Sequence, residues 1–209
     1  MRITLTDAGK RFNRDWIFRH LDHEFSPGHS YAITGSNGSG KSTLLQAIAG
    51  AIDLSEGRIG YETTAAPGAR ALSPDQVYRH LSLAAPYLEV IEEMTVTEFL
   101  TFHQGFKPFL PGLSVKDIIH QVGLASAADK QIRYYSSGMK QRVRLAQALF
   151  SDSSLLLLDE PTTNLDADGI SLYRRLTQQY GDGRIVIVSS NDQQEYDFCE
   201  EIINIMKYK

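Results

Sequence analysis

The sequence has a single cysteine, Cys199, so no disulfide can form within the chain. That suits a reducing compartment and excludes the small disulfide-stapled folds. Cys199 itself reads as a small buried apolar residue rather than a redox centre. No stretch approaches the ~20 apolar residues that cross a bilayer, and the opening MRITLTDAGKRF lacks the apolar segment of a secretory signal. Any transport function therefore needs a separate membrane partner. Excess positive charge is missing too: 21 Lys and Arg stand against 25 Asp and Glu, a formal net charge of −4. This leaves no basic footprint for nucleic acid and no polybasic membrane anchor. The six histidines, at 20, 23, 29, 80, 103 and 120, do not fall at zinc-ligand spacing and read as structural or surface residues.

What is present is ordinary for a globular protein: 209 residues, 42% hydrophobic and 22% charged. That length supports one sizeable core, with room for a subdomain but not for two full domains. There is no internal repeat and no long linker. Ile3 and Leu5 alternate with polar neighbours, as in a half-buried strand, and Arg58–Tyr61 reads similarly. Tyr31–Thr34 is a short apolar strand that enters a glycine-rich loop. Thr43–Gly50 reads as the helix that follows, with Gly50 as its C-terminal cap.

The middle of the chain turns helical. Thr95-Val-Thr-Glu98 and Ser114-Val-Lys-Asp117 both carry capping-box patterns, and Gly123 ends the second helix. From Gly138 onward Met139, Val143, Ala146 and Phe150 recur at helical spacing. Leu155–Leu158 and Ile185–Val188 are continuous apolar runs, as expected of strands buried on both faces of a parallel sheet. A helical stretch around 170–180 separates them, giving a right-handed strand–helix–strand crossover. The expected class is α/β, with a parallel-sheet core, a small antiparallel layer early in the chain and a helical insertion at about 90–150.

Gly35-Ser36-Asn37-Gly38-Ser39-Gly40-Lys41-Ser42-Thr43 fits the phosphate-loop pattern G-x-x-x-x-G-K-[ST], between a strand and a helix. Glycines let the backbone curl so that successive N–H groups face phosphate oxygens, and the following helix adds its positive end. Lys41 is expected to reach the β- and γ-phosphates of a nucleotide, and the Ser42 hydroxyl to ligate Mg²⁺. Asp159-Glu160 closes the run Leu155–Leu158, at the carboxyl edge where open parallel sheets hold their ligands. There Asp159 is placed to hold Mg²⁺, largely through water, and Glu160 to orient or deprotonate an attacking water.

A phosphate loop alone leaves many nucleotide enzymes open. The discriminating stretch is Tyr135-Ser136-Ser137-Gly138-Met139-Lys140-Gln141-Arg142, shortly before the acidic pair. It resembles the LSGGQ signature of ATP-binding cassette (ABC) proteins, and SGMKQR resembles cassettes of exporter-type transporters. Thr162-Thr163-Asn164-Leu165-Asp166 is similar to the family's D-loop. Phe12 matches the aromatic residue that stacks on adenine, although Trp16 and Phe18 lie nearby.

The resemblance spans essentially the whole chain, so residues 1–209 are expected to form one cassette. It implies that Ser136 and Gly138 bind the γ-phosphate held by the opposite subunit of a homodimer or cassette heterodimer. It also implies a cytoplasmic ATPase subunit, peripheral to the membrane through an integral permease. Two positions depart from the family. Its usual magnesium-contacting glutamine is replaced by Pro86, and the histidine that touches the γ-phosphate is replaced by Asn191. An amide can still donate a hydrogen bond but cannot titrate near neutrality. Two other readings therefore stand beside the transporter: a soluble cassette ATPase of a cytosolic assembly, such as metal-cluster biogenesis, and an ATP-gated binding module with little turnover.

Overall fold

The computed structural model describes residues 1–63 and 70–209. Two sheets organise them. The first is antiparallel, in the order β2-β1-β4-β5, from β1 (Arg2–Phe12), β2 (Asp15–Phe25), β4 (Glu56–Thr63) and β5 (Arg70–Leu72). The second is parallel, in the order β6-β7-β8-β3-β9, from β3 (Ser30–Thr34), β6 (Leu81–Ala84), β7 (Leu155–Asp159), β8 (Ile185–Ser189) and β9 (Glu201–Asn204). The helices are α1 (Lys41–Ile48), α2 (Val96–Gln104), α3 (Val115–Gln121), α4 (Ser137–Leu149), α5 (Ala167–Tyr180) and the short α6 (Gln193–Tyr196).

The apolar runs become the two central strands. All five residues of β7 and of β8 are buried. Their pleat divides the interior. Leu155 and Leu157 join Ile185, Ile187, Ile33 and the α1 residues Leu44, Leu45 and Ile48, with Ile3 and Leu5 of the antiparallel sheet beyond. Leu156 and Leu158 face the other way, towards Val186, Val188 and residues of α2, α3, α4 and α5. Each buried leucine contributes on the order of 1.5–3 kcal/mol.

Local signals set the helix ends. Both capping boxes form, at Thr95/Glu98 and Ser114/Asp117. α1 starts at Lys41, two residues before the Thr43 expected from the sequence, and runs to Ile48. It ends in a Schellman motif: Gly50 N donates to Ala47 O (3.0 Å) and Ala51 N to Gln46 O (2.9 Å), with Gly50 at φ 70°. The stretch between α2 and α4 is tied to the sheets by polar contacts as well as by its apolar core. Lys107 Nζ donates to the carbonyls of Tyr78 and Leu81, and His103 Nε2 lies 2.9 Å from Ser151 Oγ.

The crossovers bring four chain segments to one edge of the parallel sheet. These are the loop after β3, the turn after β6 that holds Pro86, Asp159-Glu160 at the end of β7, and Ser190-Asn191 after β8. Asp159 pairs with Ser189 and Ser189 with Ile33, so the three central strands end in register.

Candidate functional site

Residues 35–40 bridge β3 and α1 with three glycines at positive φ. At Gly40, φ is 104° and a Cβ would stand 2.2 Å from Ile17 Cγ2 of β2. The loop is therefore pressed against the antiparallel sheet at a point where only glycine fits. Gly40→Ala should destabilise the fold by about 1–3 kcal/mol, read as a lower urea midpoint with an unchanged slope. An unchanged midpoint would mean that Ile17 yields freely.

Lys41, the first residue of α1, is buried, and its ammonium donates to Gly35 O (3.0 Å) and Ser36 O (3.3 Å). Asn37, Gly38, Ser39, Gly40, Lys41, Ser42 and Thr43 line a cleft of about 220 Å³, closed on other sides by Ile17 and Glu160. The structure thus brings Glu160 to the phosphate loop from a strand more than a hundred residues away. Glu160 has φ 42°, the left-handed region that costs a side-chain-bearing residue on the order of 1–3 kcal/mol. Its backbone is pinned at both ends. Glu160 N donates to Ser189 O (2.9 Å), and Thr163 N and Oγ1 donate to Glu160 O at 3.2 and 2.9 Å.

Asp159 is 1% exposed, and its Oδ1 is buried with no hydrogen-bond partner among the described residues. A buried, unpartnered carboxylate oxygen is costly unless a cation or a water approaches it. Glu160, the residue after Asp159, lines the cleft with Ser42, and hydroxyl and carboxylate oxygens are hard donors of the kind that suits Mg²⁺. Among the described residues no cluster of three or more His, Cys, Asp or Glu could hold a metal ion. Two hard oxygens fill only part of the coordination of Mg²⁺, which keeps several waters and takes phosphate oxygens where it is offered them. Tyr87, next to Pro86, is close enough to Asp159 to feel its charge. Its hydroxyl pKa is raised, first by burial and also by Asp159, against a hydrogen bond with Gln46.

Asn191 is held against the loop: its Nδ2 donates to Asn37 Oδ1 at 3.0 Å. Of the three aromatic residues near the hairpin tip, Phe18 is fully buried in the core. Trp16 is half-buried, with the guanidinium groups of Arg11 and Arg19 at 5.5 and 4.5 Å from its ring centroid. Phe12 is 49% exposed, with the Lys10 ammonium 5.0 Å from its ring. Phe12 is the most exposed of the three.

Ser136 and Gly138 are not in this cleft. Ser136 caps α4, its Oγ accepting from Met139 N at 3.2 Å. Gly138 touches the segment after the acidic pair so closely that a Cβ would stand 2.9 Å from Asn164 O. They line a second cleft of about 290 Å³ with Arg142, Asn164 and Asp166. The two clefts share no lining residue.

Two supporting residues make contacts that a motif-based reading does not give. Gln141 is buried and its Nε2 donates to Pro161 O at 2.8 Å. It stands on the same stripe of α4 as Leu145, Ala148 and Leu149, and a polar residue at a core position is a signal that sequence can give. Glu195, buried on α6, reaches Thr162; nothing local in the sequence announces that contact.

The model of the ABC transporter family matches residues 18–163. The cytochrome c biogenesis ATP-binding export protein CcmA of Agrobacterium fabrum is 30% identical over 207 residues, 97% of this chain and 94% of the relative. The zinc import ATP-binding protein ZnuC of Paracoccus denitrificans is 35% identical over 164 residues, 78% of this chain and 58% of that protein. Among solved structures, a Pyrococcus furiosus ABC transporter ATP-binding protein superposes over the full length of both chains, with a TM-score of 0.83 at 21% identity. A bacterial ABC transporter cassette solved as a dimer gives 0.78 at 22% identity, over 97% of this chain and 94% of that one. Fold, phosphate loop and overall sequence agree, and the chain belongs to the ABC transporter family of ATP-binding cassettes.

Proposed function

We propose that residues 1–209 form one cassette that binds and hydrolyses Mg-ATP, works as a face-to-face pair, and drives a separate membrane-spanning permease. The observation that carries this reading is the division of phosphate-binding equipment between two clefts that share no residue. One cleft holds the phosphate loop and Glu160; the other holds Ser136 and Gly138 at the start of α4, whose N-terminus favours an anion. A second copy, facing the first, would supply to each nucleotide the half that its own chain keeps elsewhere. Each ATP would then become part of the interface.

In this reading Phe12 stacks on adenine, residues 35–43 wrap the phosphates, and Lys41 offsets their charge. Ser42 and Asp159 hold Mg²⁺, which when bound neutralises phosphate charge. Glu160 orients a water, and takes its proton, as the water oxygen bonds to the γ-phosphorus and the bond to the β-phosphate oxygen breaks. The products are ADP and inorganic phosphate. Among the described residues no helix is long and apolar enough to cross a membrane, so the permease is a separate chain in this reading. Peripheral attachment at the cytoplasmic face follows from that arrangement. Export is favoured by the SGMKQR segment and by the CcmA relative's near-complete overlap. Purification from native membranes should recover a multispanning protein with this chain; recovery with soluble partners alone would favour the cytosolic assembly.

The two departures support a second reading, an ATP-gated module with little turnover. Pro86 offers no side-chain amide, and the Asn191 donor is engaged by Asn37. A preorganised donor to developing charge is worth about 10²–10³ in rate. Asn191→His should therefore raise steady-state phosphate release about tenfold or more with little change in ATP affinity, because such a contact counts most in the transition state. Equal rates would show that the amide already suffices. No release from either protein would favour the gated module.

A further inference from the structure

Glu195 is 4% exposed, and none of the ion pairs among the described residues includes it. A buried carboxylate without a cation is tolerated only where hydrogen bonds satisfy it. Here one oxygen, Oε1, accepts twice from a single residue: from Thr162 N at 2.8 Å and from Thr162 Oγ1. Behind it, the Tyr173 hydroxyl of α5 donates to Glu195 O at 2.8 Å. Burial raises the carboxyl pKa, and hydrogen bonds from Ser190 and Thr162 act in the opposite direction.

Thr162 lies two residues beyond Glu160, and the carbonyl between them, Pro161 O, is taken by Gln141 Nε2. The turn is thus gripped from two sides, by α4 and by α6. Glu160 itself sits at φ 42°, a conformation that persists only where its surroundings fix it. We infer that Glu195 is a positioning residue for ATP hydrolysis, which by clamping Thr162 fixes the direction in which the Glu160 carboxylate leaves β7. Glu195 lines neither cleft and acts through the turn. The inference rests on the role proposed above for Glu160. The groups that donate to the carboxylate, Thr162 N, Thr162 Oγ1 and Ser190, are all neutral, so the geometry requires an acceptor rather than a negative charge, and glutamine should serve.

The test uses the full chain with Mg-ATP, measuring single-turnover γ-phosphate cleavage together with ATP affinity by calorimetry. Glu195→Ala should slow cleavage about 10–10²-fold, as small misplacements of reacting groups do, with affinity unchanged. Glu195→Gln should cleave at close to the wild-type rate. Thr162→Val should be slowed and Thr162→Ser restored, and the double variant Glu195→Ala/Thr162→Val should be no slower than Glu195→Ala alone. Should Glu195→Ala fail to fold, the threonine pair and Glu195→Gln carry the test. Glu195→Ala at the wild-type rate, Glu195→Gln as slow as the alanine variant, or a loss of ATP affinity matching the loss of rate would overturn the assignment. Glu160→Gln, run alongside, separates the two ideas. If it cleaves normally, the role of Glu160 fails; if it is inert while Glu195→Ala is unimpaired, only the role of Glu195 fails.

Discussion

Lys41→Ala is expected to lower Mg-ATP affinity by at least about 10²-fold while leaving the fold intact. Among the described residues the Lys41 ammonium donates to two loop carbonyls, and its loss removes two hydrogen bonds worth about 0.5–1.5 kcal/mol each. The buried aliphatic stem is lost as well, but at the first position of α1 a helix-favouring alanine keeps the helix. With nucleotide bound, the same group would make charge-assisted bonds to phosphate oxygens, each worth about 1.5–3 kcal/mol, and two of them account for the expected loss. Calorimetric titration and a thermal melt decide the matter together. Unchanged affinity would sink the assignment of residues 35–43 as the phosphate cradle. A lost melting transition would instead make Lys41 a stability residue.

The second large effect is expected at Glu160. Glu160→Gln keeps the shape of the side chain and removes the base, so turnover should fall by about 10²–10⁴-fold. ATP would then persist at the interface, and light scattering should show the chain passing from monomer to dimer on addition of Mg-ATP. Adding Ser136→Arg should abolish the dimer without touching ATP binding, because Ser136 is exposed on the second cleft and remote from the first in lining. Dimerisation that survives the arginine would exclude Ser136 from the interface. No ATP-dependent dimer in Glu160→Gln would count against the face-to-face pair.

Much of this site could be read directly from the residues because its chemistry is local in sequence. The phosphate loop is nine consecutive residues, and Leu155–Asp159 announces a buried strand by composition alone. The capping boxes at Thr95 and Ser114 and the glycine caps at Gly50 and Gly123 formed where their patterns stood, since each is satisfied within a single turn of chain. Phe12 could not be separated from Trp16 and Phe18 until the hairpin showed which of them is exposed. Two further relations were invisible for a physical reason: they join residues distant in sequence. The Asn191–Asn37 bond spans 154 positions and the Glu195–Thr162 clamp 33. Strand order alone brings such pairs together, and periodicity carries no record of it.

The alternation along β7 has a consequence for how this stretch of chain can change over time. Leu155 and Leu157 belong to one hydrophobic body, Leu156 and Leu158 to the other, and the acidic pair follows at the next two positions. Deleting one leucine would hand every later side chain to the opposite face. Apolar residues would survive that exchange, since both faces are apolar; Asp159 and Glu160 would not, because one must end buried and the other beside the phosphate loop. The segment is therefore open to substitution and closed to insertion or deletion. Length variation among descendants of this chain should collect instead at exposed tips such as Pro111-Gly112 and Asp182-Gly183, where the missing Cβ of each glycine faces open space and an added residue displaces nothing.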